Sequence, residues 1–351
     1  MKKTIVITTN HHTPAIKLIE QLKKDSRCQW QIEYISHLHP RETHIKNTIL
    51  PQNIRFHQLK SNKFNRFQPL KSFFSLPQII PAIKKANHLI KKINPAIVVS
   101  FGGYTSVPVI IAACFQKIPT ITHEQTSTFS LATIINSLFA NKIALSFPPD
   151  KGLFSFLFSK KIIITGNLLR SAIYQKTTKN YKNVNDPFIY ITGGSQGAKT
   201  INQTILSLLD KLTAQITVIH HTGPLDYPAI VKKTKNKPHY YPTAYVNQDD
   251  IGWVLNEASL IISRAGANTC QEIVALKKNA ILVPLPQSRQ NEQIKNALWV
   301  KKHLPQTIII PQEKLTPRLL LKKITHQKPP SSFTIKKVDN QKILQLIHQL
   351  V

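Results

Sequence analysis

The chain alternates short β-branched runs with longer helix-periodic stretches, and it does so twice. Runs at 4–8, 32–35, 97–101, 120–122 and 142–147 predict strands, with helices predicted between them at 14–24, 78–92 and 106–116. The pattern then starts over, with strands predicted at 188–192, 216–220, 259–263, 280–284 and 307–310 and helices near 199–209, 267–276 and 291–302. Strands joined by crossover helices must run parallel, so the expected fold class is α/β: two Rossmann-like, doubly wound domains facing a cleft. With 351 residues and 42% apolar content there is enough chain to bury a core in each. A polar stretch at 171–187 sets the boundary. The expected domains are 1–166 and 188–335, with a linker over 167–187, a loop near 322–337 and a last helix within 336–351 that is free to pack back on the N-terminal domain.

Glycine is scarce, at 10 residues, and its placement is informative. Average usage is about 7%, so the positions that keep glycine in this chain are those expected to need a left-handed backbone or a close approach. Seven of the ten fall in four motifs: Phe101-Gly102-Gly103-Tyr104, Thr165-Gly166-Asn167, Gly193-Gly194-Ser195-Gln196-Gly197-Ala198 and Ser263-Arg264-Ala265-Gly266-Ala267. Three of them share one layout: a strand, a glycine turn, then a helix start. Backbone N–H groups and the helix dipole make such a turn a holder of phosphate. The third motif comes near a nucleotide-triphosphate P-loop but has Ala198 where that loop requires glycine before Lys199-Thr200.

The formal charge is +31, from 47 Lys and Arg against 16 Asp and Glu, which calls for an anionic partner. Between Glu42 and Glu124 there is no acidic residue and there are eleven basic ones. In that stretch Phe67, Phe73 and Phe74 interleave with Lys71, Lys84 and Lys85, a mixture suited to the interface of an anionic bilayer or to single-stranded nucleic acid. The apolar run at 97–115 is broken by Gly102, Gly103 and Pro108 and fails as a spanning helix, and the run after Lys2-Lys3 is too short for a secretion signal. The three cysteines, Cys28, Cys114 and Cys270, form no metal-binding spacing and fit a reducing compartment.

Taken in order, the motifs resemble the MurG family of peptidoglycan N-acetylglucosaminyltransferases, which make lipid II from lipid I, over about residues 1–310. The resemblance rests on Phe101-Gly102-Gly103-Tyr104-x-Ser106-x-Pro108, His123-Glu124-Gln125, Gly166-Asn167-x-x-Arg170, the Gly193–Ala198 loop, Ser263-Arg264-Ala265-Gly266-Ala267-x-Thr269-x-x-Glu272 and Asn291-x-Gln293-x-x-Asn296. It implies the GT-B glycosyltransferase architecture and an inverting transfer from UDP-N-acetylglucosamine to the muramyl 4-hydroxyl of lipid I.

By the same resemblance, His11 of His11-x-x-Pro14 is the candidate base, with His123 and Glu124 orienting the acceptor or serving as an alternative base. The implied donor-site residues are Thr8, Thr9, Asn10, Thr126, Arg170, Ser195, Gln196, Gln248, Ala267, Asn268, Thr269, Cys270, Gln271, Glu272 and Gln293. Among them Arg170 and Ser195 would meet the diphosphate, Glu272 the ribose hydroxyls, Gln293 the sugar, and the backbone near Gln248, on a loop at 245–251, the uracil. Gly102, Gly103, Tyr104, Ser106 and Asn296 are implied for the acceptor.

The chain departs from the family pattern in its first loop, where Thr8-Thr9-Asn10-His11 replaces T-G-G-H, and at Thr126 and Leu168. No metal is expected to be obligatory, since there is no D-x-D motif and Asp249-Asp250 adjoin on an expected loop; magnesium would be a bystander to the diphosphate. The expected partners are UDP-N-acetylglucosamine, lipid I and anionic inner-membrane lipids rather than nucleic acid, at the cytoplasmic face of the bacterial cell membrane. A diacylglycerol glycosyltransferase, a basic RNA-binding protein and an inactive homologue stand as the alternatives.

Overall fold

The computed structural model describes residues 2–10, 12–37, 54–61, 79–150, 152–169, 171–184, 187–194, 196–288, 291–326 and 341–351. The chain divides into two compact units, Met1–Leu168 with Asp339–Val351, and Leu169–Val338.

The first unit holds a seven-stranded sheet in the order β3-β2-β1-β4-β5-β6-β7, every pairing parallel. Its strands are β1 (Lys2–Thr8), β2 (Gln29–Ser36), β3 (Arg55–Gln58), β4 (Ile97–Ser100), β5 (Thr120–Glu124), β6 (Lys142–Leu145) and β7 (Ile162–Ile164). Side chains alternate across a strand, so Ile5 and Ile7 enter one core and Val6 the other. On the Ile5 side the sheet is covered by α1 (His12–Lys23), through Ala15, Leu18, Ile19 and Leu22. On the Val6 side lie α2 (Ile79–Ile93) and α3 (Ser106–Phe115). The first eight residues of α3 are all buried, which is why 97–115 reads as one apolar run: it is a central strand followed by a core helix. α4 (Leu131–Phe139) and the short α5 (Leu153–Leu157) complete the first pass through this unit.

The second unit holds a six-stranded parallel sheet in the order β10-β9-β8-β11-β12-β13. Its strands are β8 (Phe188–Thr192), β9 (Thr217–His221), β10 (Tyr240–Thr243), β11 (Leu260–Ser263), β12 (Ala280–Leu282) and β13 (Ile308–Ile309). The helices are α6 (Lys199–Thr213), α7 (Tyr227–Lys233), α8 (Gln248–Glu257), α9 (Ala267–Ala275), α10 (Glu292–His303) and α11 (Pro317–Thr325).

The last helix, α12 (Lys342–Leu350), belongs to the first unit. Its Ile343, Leu344, Leu346 and Ile347 join the Ile5-side core, each burial contributing on the order of 2 kcal/mol before entropy. His348 Nε2 meets Asp25 Oδ2 at 2.7 Å, and Lys3 Nζ donates to the Val351 carbonyl at 2.8 Å.

Several expectations need correction. Residues 171–184 are not a free linker: Ser171–Tyr174 form a 3-10 turn, and Tyr181 and Val184 enter the core of the second unit. Asp249 and Asp250 lie not on a loop but in the first turn of α8. Asp250 accepts from Thr178 Oγ1, the amides of Lys179 and Asn180 and Asn180 Nδ2, which pins the 178–180 segment. Residues 322–325, expected in a loop, end α11. Strands β3, β7 and β10 and helices α4, α5, α7, α8 and α11 were not anticipated.

Candidate active-site loops

In each sheet the strand order reverses once, between β1 and β4 in the first unit and between β8 and β11 in the second. Ligands of open parallel sheets bind beyond the carboxyl ends of the strands at that reversal, because loops there run to opposite faces and leave a crevice. Both pairs of loops at these points carry motifs singled out above.

In the second unit β8 runs into Gly193–Gly197. Gly194 and Gly197 have positive φ, and the Gly197 amide donates to the Gly194 carbonyl at 2.9 Å. A Cβ on Gly193 would lie 2.1 Å from the Ala198 nitrogen, and one on Gly197 would lie 2.1 Å from the Thr222 carbonyl, so no other residue fits at either place. The loop therefore packs against Thr222-Gly223, which is itself braced from below. His220 Nε2 meets Asn202 Oδ1 at 3.0 Å, and Asn202 Nδ2 donates to the Thr222 carbonyl at 2.8 Å. Burial pushes the His220 imidazole down to about 3, with His221 beside it adding to the effect, so the ring is neutral. The helix that follows, α6, starts at Ala198 without a side-chain cap, and α9, after β11, starts at Gly266 likewise. Two helix N-termini thus present backbone amides that their own cap side chains leave open.

In the first unit the end of β1 meets the loop after β4. The Asn10 amide donates to the Gly102 carbonyl at 3.3 Å, and Asn10 Oδ1 accepts from the Thr105 amide at 3.0 Å. Gly102 and Gly103 have positive φ, and a Cβ on Gly103 would lie 2.4 Å from Asn10 Oδ1. Neither Thr9 nor Asn10 adopts a left-handed backbone, so the loss of glycine from this loop needs no strained residue. Beside it, Glu124 accepts from five donors: the amides of Gln125 and Thr126, Thr126 Oγ1, the Ser130 amide and Thr133 Oγ1, at 2.6–3.2 Å.

The predicted site residues divide into several groups. His11, Arg170, Ser195, Phe67, Lys71, Phe73 and Phe74 lie outside the described residues. Gly102, Gly103, Tyr104 and Asn10 come together at the first reversal; at the second, Gln196 sits on the loop after β8 and Ala267, Asn268 and Thr269 form the first turn of α9. Gln271 and Glu272 are buried in α9. Gln293 Oε1 accepts from the Leu285 amide at 3.0 Å and so steadies the loop after β12. The exposed Lys84 and Lys85 lie on α2.

Other predicted contacts are corrected by burial. Thr8 and Thr9 are sealed in the core, Thr9 Oγ1 donating to the Phe101 carbonyl at 3.3 Å. Ser106 is also buried, its hydroxyl on the Gly103 carbonyl at 2.7 Å, and Cys270 lies in the core with its thiol pushed well up by burial. Asn296, expected to meet the acceptor, is buried in the second unit and holds the Ala265 carbonyl at 3.0 Å, shaping the turn into α9. Arg264 is tied to the carbonyls of Val283 and Pro284 and to Gln312 Oε1. His123 is buried against Phe101, with Nε2 3.2 Å from the Gly166 carbonyl and 3.3 Å from Ser146 Oγ. Burial pushes it down to about 4, against the opposing pulls of the Gly166 carbonyl and Glu124. With Glu124 saturated by donors, this pair braces loops rather than facing a substrate.

Sequence reasoning missed three supports: Asn136, whose Nδ2 donates to Ser106 Oγ at 2.9 Å, Asn202 and Gly223. Of these only Gly223 had a sequence signal, being one of ten scarce glycines.

The Glycosyltransferase family 28 N-terminal domain matches residues 8–145, and the Glycosyltransferase family 28 C-terminal domain matches residues 188–351. A Clostridium tetani protein, UDP-N-acetylglucosamine--N-acetylmuramyl-(pentapeptide) pyrophosphoryl-undecaprenol N-acetylglucosamine transferase, is 30% identical over 93% of this chain and 90% of its own length. The chain belongs to the MurG family. MurG of Acinetobacter baumannii shares the fold, with a TM-score of 0.70 at 22% identity over 99% of each chain. UDP-GlcNAc 2-epimerase from Methanocaldococcus jannaschii also shares it, with a TM-score of 0.63 at 13% identity over 99% of this chain and 100% of its own. As a member of the MurG family the chain is a glycosyltransferase with two parallel-sheet α/β domains, and its boundary between matched domains brackets Gly166 and the 3-10 turn.

Proposed function

We propose that the chain transfers N-acetylglucosamine from UDP-N-acetylglucosamine to the muramyl 4-hydroxyl of lipid I, with inversion, in peptidoglycan synthesis. The observation that carries this reading is the pair of glycine loops, each at the reversal point of its own parallel sheet, in a chain whose curated relatives bear that activity in their names. The donor belongs to the second unit. There the Gly193–Gly197 loop and the open N-termini of α6 and α9 meet the diphosphate, because amides and helix dipoles favour the charge that builds on the departing UDP. Arg170 and Ser195 add donors to the same phosphates, Glu272 takes the ribose hydroxyls, Gln293 the sugar, and the backbone near Gln248 the uracil.

The acceptor belongs to the first unit, at the loop that Asn10 ties to Gly103 and Thr105. His11, next to that knot in sequence, takes the proton of the attacking hydroxyl, a task suited to an imidazole near neutral pH. The reading includes no obligatory metal, because the sequence holds no D-x-D motif. No helix among the described residues is long and apolar enough to cross a membrane, and the enzyme works peripherally at the cytoplasmic face, with Lys84 and Lys85 toward anionic lipid.

Thermal unfolding with UDP, UDP-N-acetylglucosamine and EDTA tests the donor half. Saturable stabilisation by both nucleotides, unchanged by EDTA, is expected. Absence of any shift at millimolar nucleotide would refute the donor assignment, and loss of the shift in EDTA would refute metal independence.

A further inference from the structure

We infer that the ends of β2 and β3 carry a subsite for an anionic group of the acceptor, in which the His37 imidazole, the Ser61 hydroxyl and the Lys60 ammonium extend the surface that Asn10 builds. The inference rests on the function proposed above in taking a lipid-linked muramyl peptide as that acceptor.

The segments that leave four neighbouring strands are tied into one platform. Ser36 Oγ donates to the Thr9 carbonyl at 2.5 Å, and the Leu59 amide donates to the Ser36 carbonyl at 3.0 Å. Asn10 Nδ2 donates to the His37 carbonyl at 3.5 Å, while its Oδ1 accepts from the Thr105 amide. Ser61 Oγ closes the set on the Tyr104 carbonyl at 3.3 Å. The platform thus spans the carboxyl ends of β1, β2, β3 and β4. It reaches β3, two strands past β1 and roughly 10 Å across the sheet. Polar groups fixed in this way before a ligand arrives cost less to order when it binds.

His37 is the half-buried ring of this platform, edge-on to Tyr104 with centroids 6.3 Å apart. Its Nδ1 is sealed from water and has no hydrogen-bond partner among the described residues, and the same holds for Thr105 Oγ1 on the neighbouring segment. Folding disfavours unpaired buried polar atoms, so two of them beside Asn10 are not explained by stability. With Nδ1 sealed, the Nε2 edge is the side of the ring left to meet a ligand.

Charge selects the ligand. None of the described residues at 9–10, 37, 59–61 and 101–105 is acidic, and Lys60 is exposed next to Ser61. The one carboxylate of β2, Glu33, is buried and occupied, with His57 Nε2 at 2.7 Å and Gln31 Nε2 at 3.0 Å. An imidazole, a hydroxyl and an ammonium group together suit an oxyanion. A muramyl peptide acceptor offers that chemistry twice, in its diphosphate and in its peptide carboxylates.

Calorimetric titration of the full chain with a short-chain lipid I analogue tests the subsite, alongside transfer kinetics. His37→Ala with Lys60→Ala should weaken binding and raise KM for the analogue by on the order of tenfold, with kcat and UDP affinity unchanged. His37→Gln, whose amide still donates, should lose less than His37→Ala. Lys60→Ala alone, at an exposed position, should give a smaller rise and keeps the test valid if the double variant folds poorly. Analogues with one phosphate, or with amidated peptide carboxyls, identify the source: the group bound here is the one whose loss weakens the wild type but not the double variant. No binding to the wild type, unchanged affinity and KM in the variants, a fall in kcat or UDP affinity as large as the rise in KM, or equal losses from both modified analogues in wild type and double variant would overturn the inference. Binding that the variants weaken as expected, with no glycosyl transfer by the wild type, would instead overturn the proposed function and leave the subsite standing.

Discussion

The side-chain oxygen of Asn10 occupies the space where a Cβ on Gly103 would lie, and from there it accepts a hydrogen bond from the Thr105 amide at 3.0 Å. The first loop of the chain and the loop after β4 are thereby locked as one surface. The Thr9-Asn10 pair that stands where the MurG family pattern has glycines is thus compensated: glycine is kept on the facing loop, where the asparagine needs the room.

Gly103→Ala should cost about 2–4 kcal/mol, combining a left-handed backbone with a clash that Asn10 cannot leave without losing its bond. Asn10→Gly alone should cost about 1–2 kcal/mol. In a double-mutant cycle read by urea unfolding, the two changes together should cost less than their sum, because the second removes the clash made by the first. Strict additivity would show that the two loops are not coupled.

Gly266 offers a cleaner probe of the donor site. It has an ordinary φ of −67°, and a Cβ there would meet nothing within 4 Å. Gly266→Ala should therefore leave the melting temperature within a degree or so of wild type, yet weaken UDP binding by roughly tenfold if the diphosphate approaches the α9 N-terminus. Titration calorimetry reads this directly. Unchanged affinity would move the diphosphate away from this turn. Gly193→Ala, by contrast, should impair folding and binding together, since its Cβ would lie 2.1 Å from backbone.

Two buried imidazoles, one in each unit, make stability depend on pH. His123 and His220 are held down to about 4 and about 3 from an ordinary 6.5, chiefly by burial. As pH falls below 6.5 the unfolded chain takes up these protons first, so the folded state loses stability. The loss approaches about 1.4 kcal/mol per pH unit for each ring and levels off only when the folded pKa is passed. The carboxyls of Asp25 and Asp250 stay below their ordinary 3.8, because their hydrogen bonds outweigh the opposing effect of burial, and so do not titrate between pH 7.5 and 5.5. Melting temperature should fall across that window at fixed ionic strength, and His220→Gln should flatten the fall. A profile unchanged by His220→Gln would mean that this ring is not buried neutral.

These features were unevenly legible in the sequence. Central strands such as β1 and β4 are buried on both faces and read as unbroken apolar runs, so both sheets could be anticipated. The half-exposed edge strands β3 and β10 carry Arg55, Gln58 and Pro242 and lack that signature. Glycine scarcity located the turns, since the need for φ > 0 is a local property. The roles of the polar residues were not local. Whether Ser106 or Asn296 faces ligand or core depends on partners 30 and 31 residues away, Asn136 and the Ala265 carbonyl. Burial of Thr8 and Thr9 likewise follows from the chain returning at Phe101. Single motifs carry the backbone geometry of the site but not which hydroxyls and amides its framework consumes.

The central claim is glycosyl transfer to a lipid-linked muramyl acceptor, and mass spectrometry of one reaction tests it most directly. The purified chain is incubated with UDP-N-acetylglucosamine and a lipid I analogue. The account predicts an acceptor one N-acetylhexosamine heavier, joined β-1,4, with UDP released in equal amount. Nucleotide-sugar that is hydrolysed, epimerised at C2 or left intact, with the acceptor mass unchanged, would contradict it.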